Sequence, residues 1–273
     1  MKVFCIISDE RAYLSKSPAM FTAVLKRTGI KGAYVPFKVA PENIGQALQC
    51  LKTLNIAGAN ITVPYKEAVI PYLDILSEGA NIIGAINTIV RTGDALKGYN
   101  TNAIGIMDAL SEAGFDIAGK SALVIGTGGA AKAVVFILNW LRADTVYIVG
   151  RSQEKVDGLV TRFGGRPLSL DQLTERPLPV HLMVNATSVS SVEEAPDLSE
   201  QMESLSLPGC ELIMDLNYGR RQNFWQKAAC RQGVRFIDGL SALAYQARRT
   251  FALWTGLQVQ PEEFISALGQ TGD

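Results

Sequence analysis

The residues best placed to do chemistry are those where an apolar run gives way abruptly to glycine or to polar side chains. The densest case is Gly126-Thr127-Gly128-Gly129-Ala130, which follows the apolar run Ala122, Leu123, Val124 and Ile125. The first glycine can take the backbone angles of a tight turn, and the second has no Cβ to hold a phosphate away. Ala131 is small enough for the next helix to pack on the strand. A pyrophosphate there would meet unpaired N–H groups at a helix N-terminus and be favoured by the helix dipole. The stretch predicts a dinucleotide site on a strand, turn and helix. The following strand ends Val149-Gly150-Arg151-Ser152, where an NAD site usually carries an acid for the ribose hydroxyls. The Arg151 guanidinium, the Ser152 hydroxyl and Lys155 one helical turn on suit a 2′-phosphate instead. NADP is therefore expected over NAD, with Glu154 as a counter-signal.

A second group lies in the first half of the chain. Ser15, Ser17, Thr62, Lys66, Asn87 and Asn102 stand at strand ends or next to them, and together supply hydroxyl, amide and ammonium donors suited to a small polyhydroxylated acid. Each also has a local reading. Ser17 or Asn102 could cap a helix, Asn87 could be a turn residue, and Lys66 could be a solvated surface lysine. Convergence on one site would decide between the readings. The single histidine, His181, sits in the apolar Val180 to Val184 strand without partner residues for a triad or a metal, and is read as structural.

Positioning these groups needs two α/β layers. Strands at Lys2 to Ile7, Gly32 to Phe37 and Ala57 to Ile61 alternate with helices opening behind Pro18 and near Pro41. Pro64 predicts an extended exit from the third strand. A helical stretch is expected from Glu67 to about Ile83, then a hairpin from Ala85 to Tyr99 turning at Thr92-Gly93-Asp94. Asn100-Thr101-Asn102 caps a crossover helix. The pattern that follows is strand 122–125, helix 129–142, strand 145–149, helix from Ser152, strands 181–184 and 212–214, helix from Gln222 and strand 234–237. It reads as a Rossmann-type doubly wound parallel sheet, with ligands at the carboxyl ends of the strands. Two terminal helices, Leu240 to Trp254 and Pro261 to Leu268, have no strand between them and are expected to complete the smaller α/β substrate domain. The predicted division is 1–101 with 239–273 for substrate, and 102–238 for the nucleotide. The two lobes are expected to bring the lysine pocket and the phosphate loop together across a shared gap.

Composition bounds the rest. The chain has 273 residues, 48% hydrophobic, with 26 basic and 26 acidic side chains. A neutral chain with no basic stripe gives no reason to expect nucleic acid or an anionic membrane as partner. The opening apolar run is too short for a signal peptide, so a cytoplasmic protein, monomer or homodimer, is expected. Four cysteines without a C-x-x-C pair predict buried, reduced thiols and no metal site. Pro177 to Pro179 and the acidic Ser190 to Leu198 read as surface loops.

Nine short motifs occur in order along the chain: S-K-S-P at 15–18, N-I-T-V-P-Y-K at 60–66, A-I-N-T at 85–88, Y-N-T-N at 99–102, G-T-G-G-A-A at 126–131, G-R-S at 150–152, N-A-T-S at 185–188, D-L-N-Y at 215–218, and D-G-L at 238–240 with a later Gln246. In this the sequence resembles the shikimate dehydrogenase family over essentially its whole length. The resemblance implies NADP-linked reduction of 3-dehydroshikimate to shikimate. It assigns Ser15, Ser17, Thr62, Asn87 and Gln246 to substrate carboxylate and hydroxyls, Lys66 to catalysis, and Tyr218 and Gly239 to the edge of the cleft. Ala186 and Thr187 fall to the cofactor, beside Gly126, Thr127, Gly128, Gly129 and Ala130.

One position departs from the family in a way that matters chemically. The motif ending at 102 normally reads N-T-D-G, its Asp forming a catalytic pair with the lysine; here it reads Asn102-Ala103. Hydride addition to a ketone builds negative charge on oxygen, which an ammonium can stabilise and protonate. A carboxylate beside it would share that proton, whereas an amide is nearly isosteric but accepts none at neutral pH. The expectation is retained binding with weakened proton handling. This leaves open a relative acting on another cyclic hydroxy acid such as quinate, or a ligand-binding protein without turnover. Gly150 in place of the usual Asn, and Ala103 in place of Gly, are smaller departures.

Overall fold

A computed structural model describes residues 1–269 and divides the chain into two units, Met1–Gly105 with the chain from Leu243 onward, and Ile106–Ala242. In the first unit, β1 (Lys2–Ser8), α1 (Ser17–Arg27), β2 (Gly32–Lys38), α2 (Ile44–Thr53), β3 (Gly58–Ile61), β4 (Ile75–Leu76), α3 (Glu78–Ile83), β5 (Thr88–Thr92) and β6 (Ala95–Tyr99) form a six-stranded sheet of order β2-β1-β3-β5-β6-β4. β1 lies parallel to β2 and β3, while β5 is antiparallel to β3 and β6. Because β1 is covered on both faces, it reads as a continuous apolar run rather than an alternating one. Cys5 and Ile7 join Leu48, Leu51 and Ile61 on one side, and Phe4 and Ile6 join Phe21 and Trp254 on the other.

α4 (Asn102–Glu112) begins in the first unit, and the division falls within it. Asn100 Oδ1 accepts from the backbone N–H groups of Asn102 and Ala103. The cap is therefore Asn100, and the Asn102 side chain is not used for it. The second unit contains β7 (Ser121–Ile125), α5 (Gly129–Trp140), β8 (Thr145–Val149), α6 (Gln153–Phe163), β9 (Arg166–Leu168), α7 (Leu170–Glu175), β10 (Leu182–Asn185), α8 (Pro196–Gln201), β11 (Leu212–Asp215), α9 (Phe224–Gln232) and β12 (Arg235–Ile237). Its sheet is parallel throughout, in the order β12-β11-β10-β7-β8-β9. The order reverses between β10 and β7, the switch point at which doubly wound sheets bind ligands. α10 (Leu240–Thr255) and α11 (Glu262–Gly269) follow. From α10, Trp254 stacks on Phe4 and donates from Nε1 to Ile89 O at 2.9 Å, while Phe264 of α11 packs edge-on to Phe21.

Several local expectations are corrected. Residues 67–83 are not one helix: a short 3-10 turn (Ile70–Tyr72), β4 and α3 replace it. Pro71 and the Asp74 carboxylate, which accepts from Leu96 N–H at 2.7 Å, divert the chain, and the Ser77 hydroxyl opens a new helix by accepting from Ala80 N–H. At Pro64 the chain turns through a cis peptide instead of leaving extended. Ser17 does not cap α1; the Ser15 hydroxyl accepts from Ser17 N–H at 3.1 Å. The acidic 190–198 stretch is not simply a surface loop. Glu194 accepts from the N–H groups of Ser190 and Ser191, pairs with Arg220, and leads into α8. Cys5 is buried, but Cys50 and Cys230 are exposed. Among the described residues no helix is long and apolar enough to cross a membrane.

Candidate active site

In the first unit the polar groups gather where β1 and β3 end and β5 begins. Thr62 N–H donates to Ile7 O, Ile61 N–H to Asn87 O, and Ile86 N–H to Lys66 O at 2.7 Å. These bonds place the backbone of Lys66 one residue from Asn87. The Asn87 amide has a fixed orientation, because its Oδ1 accepts from Thr101 N–H at 2.7 Å and a backbone N–H can only donate. Its NH2 must then face acceptors: Thr101 Oγ1 at 2.8 Å, Asn102 Oδ1 at 2.8 Å and Gln246 Oε1 at 2.9 Å. With both carbonyl oxygens spoken for, the amide nitrogens of Asn102 and Gln246 are left as donors, and no described residue accepts from either. The hydroxyls of Ser17 and Thr62 likewise bond to no other described residue.

Lys66 completes this set. Its ammonium has no hydrogen-bond or ion-pair partner among the described residues, and burial alone pushes it down to about 8. A half-buried ammonium with no counter-charge is held at a cost that a solvated lysine would not carry. This is not the setting of a fully solvated surface lysine, and a lysine whose proton is held less tightly than usual is the kind found where protons are transferred. The site is rich in donors and, among the described residues, has no carboxylate, so it suits a ligand bearing a carboxylate and hydroxyl or carbonyl oxygens.

Behind these groups stands a buried network that the sequence did not single out. Tyr34 OH donates to Asn60 Oδ1 at 2.8 Å, and Asn60 Nδ2 donates to Asn87 O and Thr88 Oγ1. Thr88, Thr101 and Thr250 bond through their hydroxyls. Gln246 and Thr250 are four residues apart, so they share one face of α10, which is how a late helix reaches the Asn87 site. A buried polar residue inside an apolar strand, such as Asn60, was the available signal.

In the second unit the turn after β7 behaves as its glycines predict. Gly126 has φ of 125°, and a Cβ on it would come 2.9 Å from the backbone of Ala186 at the end of β10. Neither an L side chain nor its bulk fits there. At Gly128, the residue preceding α5, a Cβ would meet nothing within 4 Å, so that face is open to a ligand, and the buried Ala131 lets α5 approach the sheet. Thr187 is held by Asn185, whose Oδ1 accepts from its N–H and its hydroxyl. Asn185 in turn donates to Asp215 at 2.8 Å. Asp215 is fully buried, with Asn217 and Asn223 as further donors. This amide cage, another feature not assigned from sequence, fixes the ends of β10 and β11. Gly239 is required because a Cβ would run into the Leu216 backbone. Tyr218, half-buried, lies just past β11. Ser152 caps α6 by accepting from Lys155 N–H, and the side chains of Arg151 and Lys155 are exposed without ion-pair partners among the described residues. His181 Nδ1 accepts from Ser121 N–H at 3.2 Å, a structural tie between strands.

Residues 10–89 match the model of the shikimate dehydrogenase substrate binding domain, and residues 109–220 that of shikimate / quinate 5-dehydrogenase. The shikimate dehydrogenase (NADP(+)) of Desulforamulus reducens is 40% identical over 89% of this chain and 86% of its own length. The chain belongs to the shikimate dehydrogenase family. Among solved structures, shikimate 5-dehydrogenase from Thermus thermophilus, in complex with NADP(H) and shikimate, matches with a TM-score of 0.86 at 32% identity, covering 99% of both chains. The Aquifex aeolicus shikimate dehydrogenase matches with a TM-score of 0.87 at 28% identity, over 98% of this chain and 97% of that one. The family's fold is the Rossmann-type parallel sheet with a second α/β domain, as the strand pattern predicts.

Proposed function

We propose that this chain is an NADP-dependent dehydrogenase interconverting 3-dehydroshikimate and shikimate. In this reading the unit carrying Lys66 takes the substrate and the unit carrying Gly126 takes the nucleotide. The observation that carries the reading is the half-buried Lys66 ammonium without a counter-ion among the described residues, one residue along the backbone pairing from an Asn87 that leaves two amide donors free. NADPH, when bound, supplies the hydride. The residues fit such a group: Gly126 makes the turn and Gly128 leaves room at a helix N-terminus, with Ala130, Ala186 and Thr187 beside it, and Arg151, Ser152 and Lys155 offer unpaired donors for a 2′-phosphate.

The chain's own groups handle binding and the proton. Ser15, Ser17, Thr62 and Gln246 bind the carboxylate and ring hydroxyls. The Lys66 ammonium stabilises the oxygen on which charge develops and gives it a proton in reduction; as free amine it takes that proton back in oxidation. Asn102, with its carbonyl held by Asn87, directs N–H at the same oxygen and adds a donor without adding a base. Binding is retained, while the proton-sharing partner that a carboxylate would supply is missing. The reading is tested by following NADPH absorbance with shikimate, quinate and related hydroxy acids, against NADP+ and NAD+. Turnover of shikimate with NADP+ supports it; shikimate binding with no turnover across the panel favours a sensor and overturns it.

A further inference from the structure

Gly150, at the end of β8, is a glycine without a conformational reason. Its φ lies outside the left-handed range, so any residue could adopt its backbone. Space is what excludes a side chain. A Cβ at 150 would stand 2.5 Å from Thr127 Cγ2 and 3.3 Å from Val156 Cγ2. Thr127 belongs to the turn after β7 and has a single, branched χ1, so its methyl cannot swing clear without moving its hydroxyl as well. A side chain at 150 and the present Thr127 rotamer therefore exclude one another. With the methyl seated over Gly150, Thr127 Oγ1 lies 3.6 Å from that ideal Cβ position, half-buried and bonded to no described residue. Arg151 follows directly in the chain and Lys155 five residues after Gly150, both without ion-pair partners among the described residues.

We infer that Thr127 and Gly150 form a matched pair that sets cofactor choice: Gly150 clears the space, and the Thr127 hydroxyl, fixed by that packing, donates to the cofactor's 2′-phosphate. The pair also keeps any carboxylate off position 150, where it would favour an unphosphorylated ribose. This inference rests on the NADP reading above and names one residue that enforces it.

The test measures NADP+ and NAD+ dissociation constants by calorimetry for the wild-type protein and for Thr127→Val and Thr127→Ser, so that the readout is binding and not turnover. A hydrogen bond to a charged group predicts that Thr127→Val weakens NADP+ binding about tenfold or more and leaves NAD+ within about twofold, while Thr127→Ser keeps the NADP+ preference. Thermal unfolding adds the packing arm: Gly150→Ala alone should lower the melting temperature, and the same change in a Thr127→Ala background should be tolerated. A wild-type protein that prefers NADP+ together with a Thr127→Val variant of unchanged preference overturns the pair and leaves the NADP reading standing. A wild-type protein that binds NADP+ no more tightly than NAD+ removes both.

Discussion

Replacing Asn102 by Asp probes the site at its one chemical departure. The fold should tolerate the change, because Asn87 Nδ2 already donates to the 102 oxygen at 2.8 Å and a carboxylate oxygen accepts that bond at least as well. The second carboxylate oxygen replaces the free amide nitrogen, turning a donor into a charged acceptor, which the proposed mechanism sets beside Lys66. Burial alone holds Lys66 at about 8, so at pH 7 about nine-tenths of it is already protonated. Population of the ammonium therefore limits reduction by only about a tenth, and the gain must come from proton sharing. General acid–base help of this kind is worth about 10²- to 10⁴-fold in rate, or about 3–5 kcal/mol of barrier. A carboxylate within contact distance also raises a lysine by about 1–3 pH units, so the alkaline limb for shikimate oxidation should move from near 8 to about 9–11. Stopped-flow NADPH traces with 3-dehydroshikimate, and NADP+ reduction with shikimate across pH 6–11, give both quantities. An unchanged rate with an unchanged midpoint would refute the claim that position 102 acts on Lys66.

Lys66→Met should be more stable than wild type at pH 7 by about 2 kcal/mol after discounting for residual solvent contact, since it removes a buried charge. The folded value lies below the unfolded one, so the native state loses its proton first as pH rises from about 8 to about 10.5. Wild-type stability recovers over that window and the gap closes. Urea unfolding at pH 7 and pH 10 checks this, and taking the difference between the two proteins cancels the opposing effect of Cys5, whose burial pushes it up to about 12. Asn87→Ala leaves the Thr101 N–H, Asn102 and Gln246 without their partner and should cost about 2–4 kcal/mol in denaturant unfolding, with shikimate binding lost in parallel. Gly126→Ala, with φ of 125° and the Ala186 backbone in the way, should abolish NADP+ binding and lower stability by about 2 kcal/mol or more; tight NADP+ binding by this variant would contradict the assignment of the turn.

What could be read from the sequence was whatever local chemistry determines. The run into Gly126-Thr127-Gly128-Gly129 announced its turn because backbone angles and missing Cβ atoms are properties of the residues themselves. The Gly93 turn did so for the same reason, with Thr92 and Ala95 paired across it. The helical reading of 67–83 failed because its apolar spacing fits a helix locally, while pairing of β4 with the distant β6 and the Asp74 bond to Leu96 override it. Asn102 could be read as a cap or as a site residue, and it is Asn100 that takes the cap in the fold. Gln246 illustrates the limit: it lies 159 positions from the Asn87 it bonds, and no local pattern connects them. The cage around Asp215 was hidden for a similar reason, since its donors are spread over 185–223 and meet only where strands end.

In the proposed mechanism the Lys66 ammonium, half-buried and without a counter-charge among the described residues, moves the proton. This is tested most directly by NADPH consumption on 3-dehydroshikimate in wild type and Lys66→Met, with shikimate binding measured alongside by calorimetry. Turnover should fall at least about 100-fold in the variant while measurable shikimate binding remains. Equal turnover in the two proteins would contradict it.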